Sequence, residues 1–493
     1  MKAAVKKCFF RTLLRLFTAM MLYFFVWISS AYGASDAKKP NMIFILADDL
    51  GYGDLSCYGQ TKFQTPHIDR MAAEGLRFTQ FYAGSTVCAP SRCCLLTGLH
   101  TGHSQIRGNL GMKPEGQYPL AEDTFTVADL FEEAGYTTGA FGKWGLGSPG
   151  SSGTPEKQGF GRFFGYNCQS LAHFYYPDHL WRNEEKVLLP GNDPQKQTGQ
   201  YSHDLIVKEA LDFIRANKDG PFFLYVPFTI PHAELTVPAD SMQKYRGKYP
   251  ETPFVNESGH GYGSQPYPHA AFAAMVDRMD GDVGRILTLL RELNLDETTC
   301  VMFTSDNGPH HEGGGDPDFF DSYGPLRGCK RDLYEGGVRV PLIVRWPGKV
   351  RAGRESDYIG AFWDFLPTCS ELTGVPVPRN IDGISFLPVL LGQEKAHKEH
   401  SFLYWELHEE GGKQAVRMGR WKGVRLNVDE NPDGPIELYD LDTDLGETTD
   451  AADQHAEIVQ KIAQIMKAEH SKNEPFPFLY EQSQSKPDAA ADQ

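Results

Sequence analysis

The sequence is short of positive charge and of long apolar runs. Its 493 residues carry 48 Lys and Arg against 64 Asp and Glu, a formal net charge of -16. A chain with no basic excess has little capacity to neutralise phosphates, which argues against nucleic acid as the main partner. Only one long apolar run is present, which excludes a polytopic membrane protein. A few cations that converge in one pocket could still bind an anionic substrate.

Cysteine is also sparse, and its spacing indicates neither a zinc ribbon nor a disulfide framework. The chain has nine cysteines and no Cys-x-x-Cys pair. The neighbours Cys93 and Cys94 cannot easily bridge each other, because vicinal disulfides are strained. We expect most of the cysteines to be small buried side chains, with Cys88 as the exception.

The N-terminus has the pattern of an export signal. A basic start is followed by an uncharged apolar run over residues 16–28, and Ala31 and Gly33 offer the small residues that signal peptidase reads. The run is shorter than the roughly 20 residues that span a bilayer. We predict a cleaved signal peptide over residues 1–34, no membrane span after cleavage, and a periplasmic or extracellular protein. The alternatives are an uncleaved anchor or a buried helix.

Apolar runs that end in polar residues alternate with helical patterns along the chain. Residues 41–47 and 300–304 read as buried parallel strands, and helices are indicated between such strands. The predicted fold class is α/β, a large mostly parallel sheet sandwiched by helices, over residues 35–383. After about residue 383 the pattern changes, and short strands joined by turns of Gly, Asn and Asp are predicted. We expect a smaller C-terminal α+β subdomain with an antiparallel sheet over residues 384–481, then a polar tail over 482–493.

Polar pairs follow two of the predicted strands and indicate a cation site. In open α/β sheets, ligands bind at the carboxyl ends of the strands. Asp48-Asp49 and Asp306-Asn307 offer at least four oxygen ligands there, a pattern typical of a hard cation. No His or Cys pattern lies nearby, so Ca²⁺ or Mg²⁺ is favoured over Zn²⁺. Taken alone, the same residues could be helix caps or Asx turns.

The segment Cys88-Ala89-Pro90-Ser91-Arg92 predicts an anion site at the start of a helix. Pro90 suits the first helical position, and Gly98 can end the helix. Cys88 would then lie at the helix N-terminus, where the dipole favours anions, and Arg92 could return to the same place one turn later. The alternatives are an ordinary thiolate nucleophile, or a structural buried cysteine beside a surface arginine.

With these motifs in this order, the chain resembles the formylglycine-dependent sulfatases of the alkaline-phosphatase superfamily. The resemblance covers nearly the whole mature chain, and it implies an alkaline-phosphatase-like fold. The sequence as a whole also resembles bacterial sulfatases that act on sulfated polysaccharides. The matching segments are Asp48 to Gly53, Cys88 to Arg92, Gly142-Lys143-Trp144, Pro231-His232, Ser305 to Gly308, Gly328 to Gly337 around Lys330, and Glu437 to Leu441.

The resemblance implies a sulfuric ester hydrolase with a modified cysteine and one calcium ion. A formylglycine-generating maturation enzyme would convert Cys88 to 3-oxoalanine, whose hydrated aldehyde would attack sulfur and then release sulfate. His232 would be the general acid at the leaving oxygen. The implied sulfate-neutralising residues are Arg92, Lys143 and Lys330. The implied calcium ligands are Asp48, Asp49, Asp306, Asn307 and the modified Cys88.

One position departs from the family pattern. Many members carry a histidine two residues after the lysine of Gly-Lys, and this chain has Gly145 there. That histidine normally contacts the formylglycine hydrate, so a different base is expected. His103, His310 or His311 could take its place, or Gly145 could mark a subgroup with another arrangement.

The substrate is expected to be a sulfated carbohydrate. An aromatic and polar stretch over residues 173–182 could build a sugar subsite, although loop packing is the alternative. We predict substrate contacts at His173, His179, Arg182 and His310, and an exo-acting enzyme on sulfated galactose or N-acetylgalactosamine. Two other functions stay open at this point. One is a formylglycine-dependent phosphonate monoester or phosphodiester hydrolase, and the other is a non-catalytic sulfoglycan-binding protein.

Overall fold

The computed structural model describes residues 39–258, 261–393 and 396–484. The predicted signal peptide lies outside the described residues, as does most of the predicted tail. Contacts between residues group the chain from Pro40 onward into one compact unit. No helix within the described ranges is long and apolar enough to cross a membrane.

A central sheet of eleven strands dominates the described residues. Its strand order is β10-β2-β9-β8-β1-β7-β3-β4-β5-β6, with β11 paired to β2. The run from β8 to β4 is parallel, whereas β9 is antiparallel to both of its neighbours. The strands are β1 (Asn41–Ala47), β2 (Leu76–Tyr82), β3 (Thr137–Lys143), β4 (Arg162–Tyr166), β5 (His179–Arg182), β6 (Glu185–Leu188), β7 (Phe222–Pro227), β8 (Thr299–Ser305), β9 (Arg339–Arg345), β10 (Arg354–Ser356) and β11 (Gly360–Ala361).

The parallel strands are apolar throughout because both faces of the sheet are covered. All seven residues of β1 are buried. Ile43 and Ile45 contribute to one apolar core, and Phe44 and Leu46 to the core on the other face. A strand buried on both faces reads as a continuous apolar run rather than an alternating one, as the sequence predicted.

Helices pack on both faces of this sheet. The longest of the described helices is the amphipathic helix Pro268–Glu292, whose apolar side is buried in one of the two cores. The helices are α1 (Pro66–Ala73), α2 (Cys88–Thr97), α3 (Val127–Glu133), α4 (Ser202–Ala216), α5 (Ala239–Tyr245), α6 (Pro268–Glu292), α7 (Pro317–Phe320), α8 (Glu335–Val338), α9 (Phe365–Thr373), α10 (Leu387–Leu390), α11 (Ala456–Glu469) and α12 (Leu479–Gln484).

A second, smaller sheet follows and is antiparallel throughout. Helix α11 packs on it through Ile462 and Met466, beside Val416 and Leu438. Its strands are β12 (Leu403–Leu407), β13 (Lys413–Met418), β14 (Trp421–Leu426) and β15 (Glu437–Asp440). The predicted fold class is therefore confirmed, while the exact boundary at residue 383 stays a prediction.

The strand order brings the carboxyl ends of four strands together. β1 lies between β7 and β8, with Ala47 opposite Ser305, and β3 lies on the far side of β7. The polar residues that follow these strands therefore meet along one edge of the sheet, where open α/β sheets bind their ligands.

Candidate active site

Three carboxylates and one amide lie together at this edge. Asp48 and Asp49 follow β1, and Asp306 and Asn307 follow β8; all four are fully buried. The Asp49 amide N–H donates to Asp306 Oδ1 (3.1 Å), and Asn307 Nδ2 donates to Asp49 Oδ1 (2.7 Å). These bonds fix the acidic side chains around one buried point.

Burial sets the electrostatics of this cluster. It raises the pKa of Asp48 to about 7, although the neighbouring Lys143 ammonium opposes the rise. Burial also disfavours the charged form of Asp49, but Lys330 and His310 hold the pKa of that carboxyl below its usual value. The cluster therefore needs positive charge close by to keep its carboxylates ionised.

The donor set fits a hard cation. Asn307 Oδ1 is buried and has no hydrogen-bond partner among the described residues. Single ligand atoms of Asp48, Asp49, Cys88 and His232 all lie within 4.8 Å of one another. Carboxylate and amide oxygens are the ligands that Ca²⁺ prefers, so the side chains present suit that ion.

Cys88 is the first residue of α2 and faces the carboxylates. Its Sγ lies 3.4 Å from Asp48 Oδ1, 3.9 Å from Asp49 Oδ1 and 3.4 Å from Lys143 Nζ. Burial raises the pKa of the Cys88 thiol well above its usual value. This environment does not favour a free thiolate, which weakens the alternative of an ordinary thiolate nucleophile.

The start of α2 follows the predicted logic with one shift. Pro90 is the third helical residue rather than the first. It still lies in the first turn, where backbone N–H groups have no intrahelical acceptor and a proline is tolerated. Gly98 ends the helix in the left-handed conformation, as the sequence suggested.

Three cations surround Cys88 and the carboxylates. Arg92 Nη2 lies 2.8 Å from Asp306 Oδ2, and its Nη1 donates to the carbonyl oxygen of Lys143. Lys143 Nζ lies 2.7 Å from Asp48 Oδ2, and Lys330 Nζ lies 2.8 Å from Asp49 Oδ2. Burial alone would lower the pKa of Lys143, but the Asp48 carboxylate raises it. The structure thus brings these predicted sulfate-neutralising residues to one place.

His232 lies beside Asp49 and Lys330. Its Nε2 is 3.2 Å from Asp49 Oδ2 and 3.1 Å from Lys330 Nζ, while its Nδ1 faces the carbonyl oxygen of Ala233. Burial lowers the pKa of this imidazole well below its ordinary value. A neutral ring with the proton on Nδ1 presents an Nε2 lone pair to the Lys330 ammonium.

Two more histidines stack on His232. Ring centroids are 4.7 Å apart for His173 and 5.5 Å apart for His310. Of the four predicted substrate contacts, these two lie at the site. His179 and Arg182 instead lie on strand β5, where His179 bonds Glu115 (2.9 Å) and Arg182 bonds Glu209 (2.8 Å). Neither of them lines the pocket described next.

The site opens into a cavity of about 240 Å³. One part of its wall is charged, with Glu312, Lys330 and Arg331, and another part carries amide side chains. Sequence analysis did not identify several of its residues, since most come from loops with no strand-end or motif signal and Arg331 was passed over beside Lys330. These are Asn109, Gln117, Gln169, Tyr262, Glu312 and Arg331.

Glu312 is the most connected of the missed residues. Its carboxylate contacts Lys330 Nζ (3.1 Å) and Arg331 Nη1 (2.6 Å), and it accepts a hydrogen bond from Tyr262 Oη (2.7 Å). The Lys330 ammonium is therefore held between Glu312 and Asp49. The carboxylate that orients Lys330 lies 18 residues away in sequence, so no local spacing could reveal it.

Gln169 fills the space beside Gly145. A Cβ atom at position 145 would lie only 2.0 Å from Gln169 Nε2, and Gly145 has a φ of +81°. Both amide atoms of Gln169 are buried and lack a hydrogen-bond partner in the described chain. The glutamine amide thus occupies the place where a side chain at position 145 would start.

The three histidines suggested as substitutes lie in different places. His310 is buried and adjoins His232, whereas His311 is exposed. His103 bonds Asp382 (2.9 Å) and stacks on His100, outside the pocket lining.

Since His100 Nδ1 accepts the Gly102 N–H, its Nε2 is a donor to Glu469 rather than a free metal ligand.

Comparison with known proteins agrees with this site. The sulfatase family matches residues 40–375, and the family described as "N-sulphoglucosamine sulphohydrolase, C-terminal" matches residues 328–473. An N-acetylgalactosamine-6-O-sulfatase of Bacteroides thetaiotaomicron is 30% identical, over 88% of this chain and 93% of its own. Human arylsulfatase A is 33% identical, over 89% of each chain.

The fold comparison points the same way. The crystal structure of Ps i-CgsB in complex with k-i-k-neocarrahexaose has a TM-score of 0.73 and 26% identity, over 88% of this chain and 94% of that chain. The family match, the relatives and the cluster around Cys88 lead to one conclusion. The chain belongs to the sulfatase family and is a sulfuric ester hydrolase.

Proposed function

We propose that this sulfatase desulfates sugars by means of a formylglycine derived from Cys88 and one bound Ca²⁺. One observation carries the proposal: Cys88 Sγ lies within 4 Å of Asp48, Asp49 and Lys143 in a buried cluster. An anionic sulfate ester at this point would meet the cations, while the carboxylates remain available to a metal. The match to the sulfatase family supports the same chemistry.

Four side chains would hold the calcium ion, namely Asp48, Asp49, Asp306 and Asn307. When bound, the ion would act as a Lewis acid and a template, and the aldehyde at position 88 would supply a nucleophile that is regenerated each cycle. Arg92, Lys143 and Lys330 neutralise the sulfate oxygens. Removal of one such preorganised partner typically costs about 10²–10³ in rate.

His232 and Lys330 would handle the proton that the leaving oxygen needs. The Lys330 ammonium donates to His232 Nε2 at 3.1 Å, so a proton is available at that atom even though the imidazole itself is neutral. A positioned proton donor of this kind contributes roughly 10²–10⁴ to the rate. Asp49 and Glu312 keep Lys330 charged and in place.

The pocket favours a sugar as the group that carries the sulfate. Its amide side chains can bond hydroxyl groups, and His173 places a ring beside the charged wall. One relative is named an N-acetylgalactosamine-6-O-sulfatase, and a structural neighbour was solved in complex with k-i-k-neocarrahexaose. We therefore propose galactose or N-acetylgalactosamine sulfates as substrates, and export of the enzyme through its N-terminal segment.

Mass spectrometry of the peptide that contains Cys88 tests this proposal. After co-expression with a maturation enzyme, the peptide should lose its thiol and gain an aldehyde or its hydrate. Cys88→Ala should keep its fold and its Ca²⁺ binding, but lose turnover of 4-nitrophenyl sulfate.

Cys57→Ala is the matched control, because Cys57 lies outside the pocket and should be replaceable without loss of turnover. Activity of Cys88→Ala close to that of the wild type would refute the mechanism. Faster turnover of 4-nitrophenyl phosphate than of the sulfate would instead support a phosphohydrolase.

A further inference from the structure

A second charged cavity lies at the opposite edge of the central sheet. It has a volume of about 690 Å³. Its charged lining consists of five basic and two acidic side chains, the acids being Glu74 and Asp296. The basic residues are Arg70, Arg291, Arg345, Lys349 and Arg351. We call this cavity the basic cleft.

The basic cleft is remote from the catalytic pocket. β9 runs antiparallel to β8, so that Arg345 pairs with Val301 near the amino end of β8. Asp306 follows the carboxyl end of the same strand. A strand rises about 3.3 Å per residue, so the five residues from Val301 to Asp306 separate the two places by roughly 17 Å.

Both acids of the cleft are already paired. Arg345 bonds Asp296 through two contacts of 2.8 Å and Glu74 through one of 2.7 Å. Glu74 also bonds Arg70 at 2.5 Å. Arg345 is only 4% exposed, so these contacts hold its guanidinium in a nearly buried position and engage both carboxylates of the cleft.

Three cations of the cleft have no acidic partner in the part of the chain that the structure describes. Lys349 and Arg351 are exposed in the turn after Trp346, and no carboxylate within the described ranges pairs with either. Arg291 bonds Thr288 Oγ1 through Nη2, while its Nη1 is buried without a hydrogen-bond partner in the described part of the chain. An unpaired buried guanidinium N–H is costly, and an anion would satisfy it.

We propose that the basic cleft is a second anion-binding site, which holds a sulfate-bearing segment of a polysaccharide away from the catalytic pocket. The choice of a sulfated polymer rests on the proposed function. Guanidinium groups match oxyanions with paired N–H donors, and here two arginines and one lysine converge on one cavity. On a chain with net charge -16, such a concentration of cations is a local exception that would attract a polyanion.

The test compares two double variants of equal charge change. The first, Lys349→Glu with Arg351→Glu, reverses two charges in the basic cleft. The second, Lys461→Glu with Lys467→Glu, reverses the charges of two exposed lysines on α11. Isothermal titration calorimetry with chondroitin sulfate should show an affinity at least about tenfold lower than that of the wild type for the cleft variant alone. This factor follows from the typical energies of charged hydrogen bonds. Its salt dependence should also be reduced. Turnover of 4-nitrophenyl sulfate should stay within twofold of the wild type for both variants.

Further arms separate the possible outcomes. Desulfated chondroitin should bind the wild type far less than chondroitin sulfate does. Equal loss in both double variants, no loss in either, or equally tight binding of duplex DNA would overturn the proposal. Absence of sulfate ester turnover by the mature wild type would refute the proposed function separately, because polymer binding is measured without catalysis.

Discussion

One proton, in the hydrogen bond between the Lys330 ammonium and the neutral imidazole of His232, lies next to the carboxylates. Nε2 of His232 accepts from Lys330 Nζ, and Asp49 Oδ2 lies within 3.2 Å of both groups. A change at either residue therefore affects the proton supply and the charge of the site together. Substrates with different leaving groups can distinguish these two effects.

We predict that His232→Ala slows desulfation of a sugar sulfate by roughly 10²–10⁴, and slows 4-nitrophenyl sulfate much less. An acid matters least when the alcohol leaves easily, so the loss should grow with the pKa of the leaving alcohol. Values of kcat/KM over a series of leaving groups would measure this. The control is His179→Ala, a buried histidine outside the pocket. Equal losses on both substrates would show that His232 binds or supports the site instead.

Gln169 is the second residue for which geometry suggests an experiment. Its buried amide has no hydrogen-bond partner within the described ranges, and it helps to line the catalytic pocket. We predict that Gln169→Ala lowers kcat/KM for a sugar sulfate by about 10- to 100-fold, since a hydrogen bond to a charged group is typically worth about 1.5–3 kcal/mol.

A matched control is Gln158→Ala, another buried glutamine, which bonds backbone carbonyls outside the pocket. It should lower the melting temperature without changing kcat/KM. If Gln169→Ala behaved in the same way, the Gln169 amide would have only a packing role beside Gly145.

At the scale of elements, the sequence could predict the parts of the site that end regular strands. Asp48 and Asp306 follow continuous apolar runs, and Cys88 begins a helix marked by Pro90 and Gly98. Their convergence follows from the rule that parallel strands place their carboxyl ends at one edge. The central sheet, the helical layers and the antiparallel C-terminal sheet could also be predicted from the sequence, because regular elements leave a periodic pattern of apolar residues.

The amide wall and Glu312 could not be predicted in this way. They lie on loops, and their approach depends on tertiary packing rather than on periodicity. The structure places His179 and Arg182 on strand β5 with carboxylate partners, a position that the aromatic stretch around them did not reveal, and their contact with substrate stays a prediction. Loop position is decided by contacts far apart in sequence, which a local pattern does not contain.

The C-terminal sheet supports the segment that carries Lys330. Lys422 on β14 bonds Glu335 on α8 at 2.8 Å, and both side chains are fully buried. Glu335 also accepts from Tyr82 Oη (2.6 Å). Glu335, five residues after Lys330 in sequence, is therefore bonded both to Lys422 of the C-terminal sheet and to Tyr82 of the central sheet.

We predict that Lys422→Met destabilises the protein by about 1–3 kcal/mol, because the buried Glu335 Oε1 loses its 2.8 Å partner while Arg339 still pairs with Oε2 at 3.2 Å. Thermal unfolding followed by circular dichroism would measure the shift. Arg420→Met is the control, since Arg420 pairs with Asp440 at the surface, where ion pairs are worth about 0–1 kcal/mol. Similar shifts for the two variants would mean that the buried pair does not hold the C-terminal sheet in place.

At the scale of the whole molecule, charge is distributed unevenly. The chain is strongly acidic overall, yet three buried cations converge on the catalytic pocket, and the basic cleft is lined by three cations that have no acidic partner among the described residues. The catalytic edge also holds three buried carboxylates, whose mutual repulsion a bound cation would relieve further than Arg92, Lys143 and Lys330 do. The metal proposed there should therefore contribute to the stability of the fold as well as to the reaction.

We predict that removal of calcium with a chelator lowers the melting temperature and abolishes turnover, and that Ca²⁺ restores both better than Zn²⁺ does. A ligand that binds only the folded chain stabilises it by about 2.7 kcal/mol at 100 times its Kd. Asp306→Ala should lose the calcium-dependent shift in melting temperature. Asp280→Asn should keep that shift, because Asp280 accepts backbone N–H groups of His67 and Ile68 away from the site. Unchanged stability and turnover after exhaustive chelation would contradict a calcium site at the ends of β1 and β8, and the three carboxylates would then depend on Arg92, Lys143 and Lys330 alone.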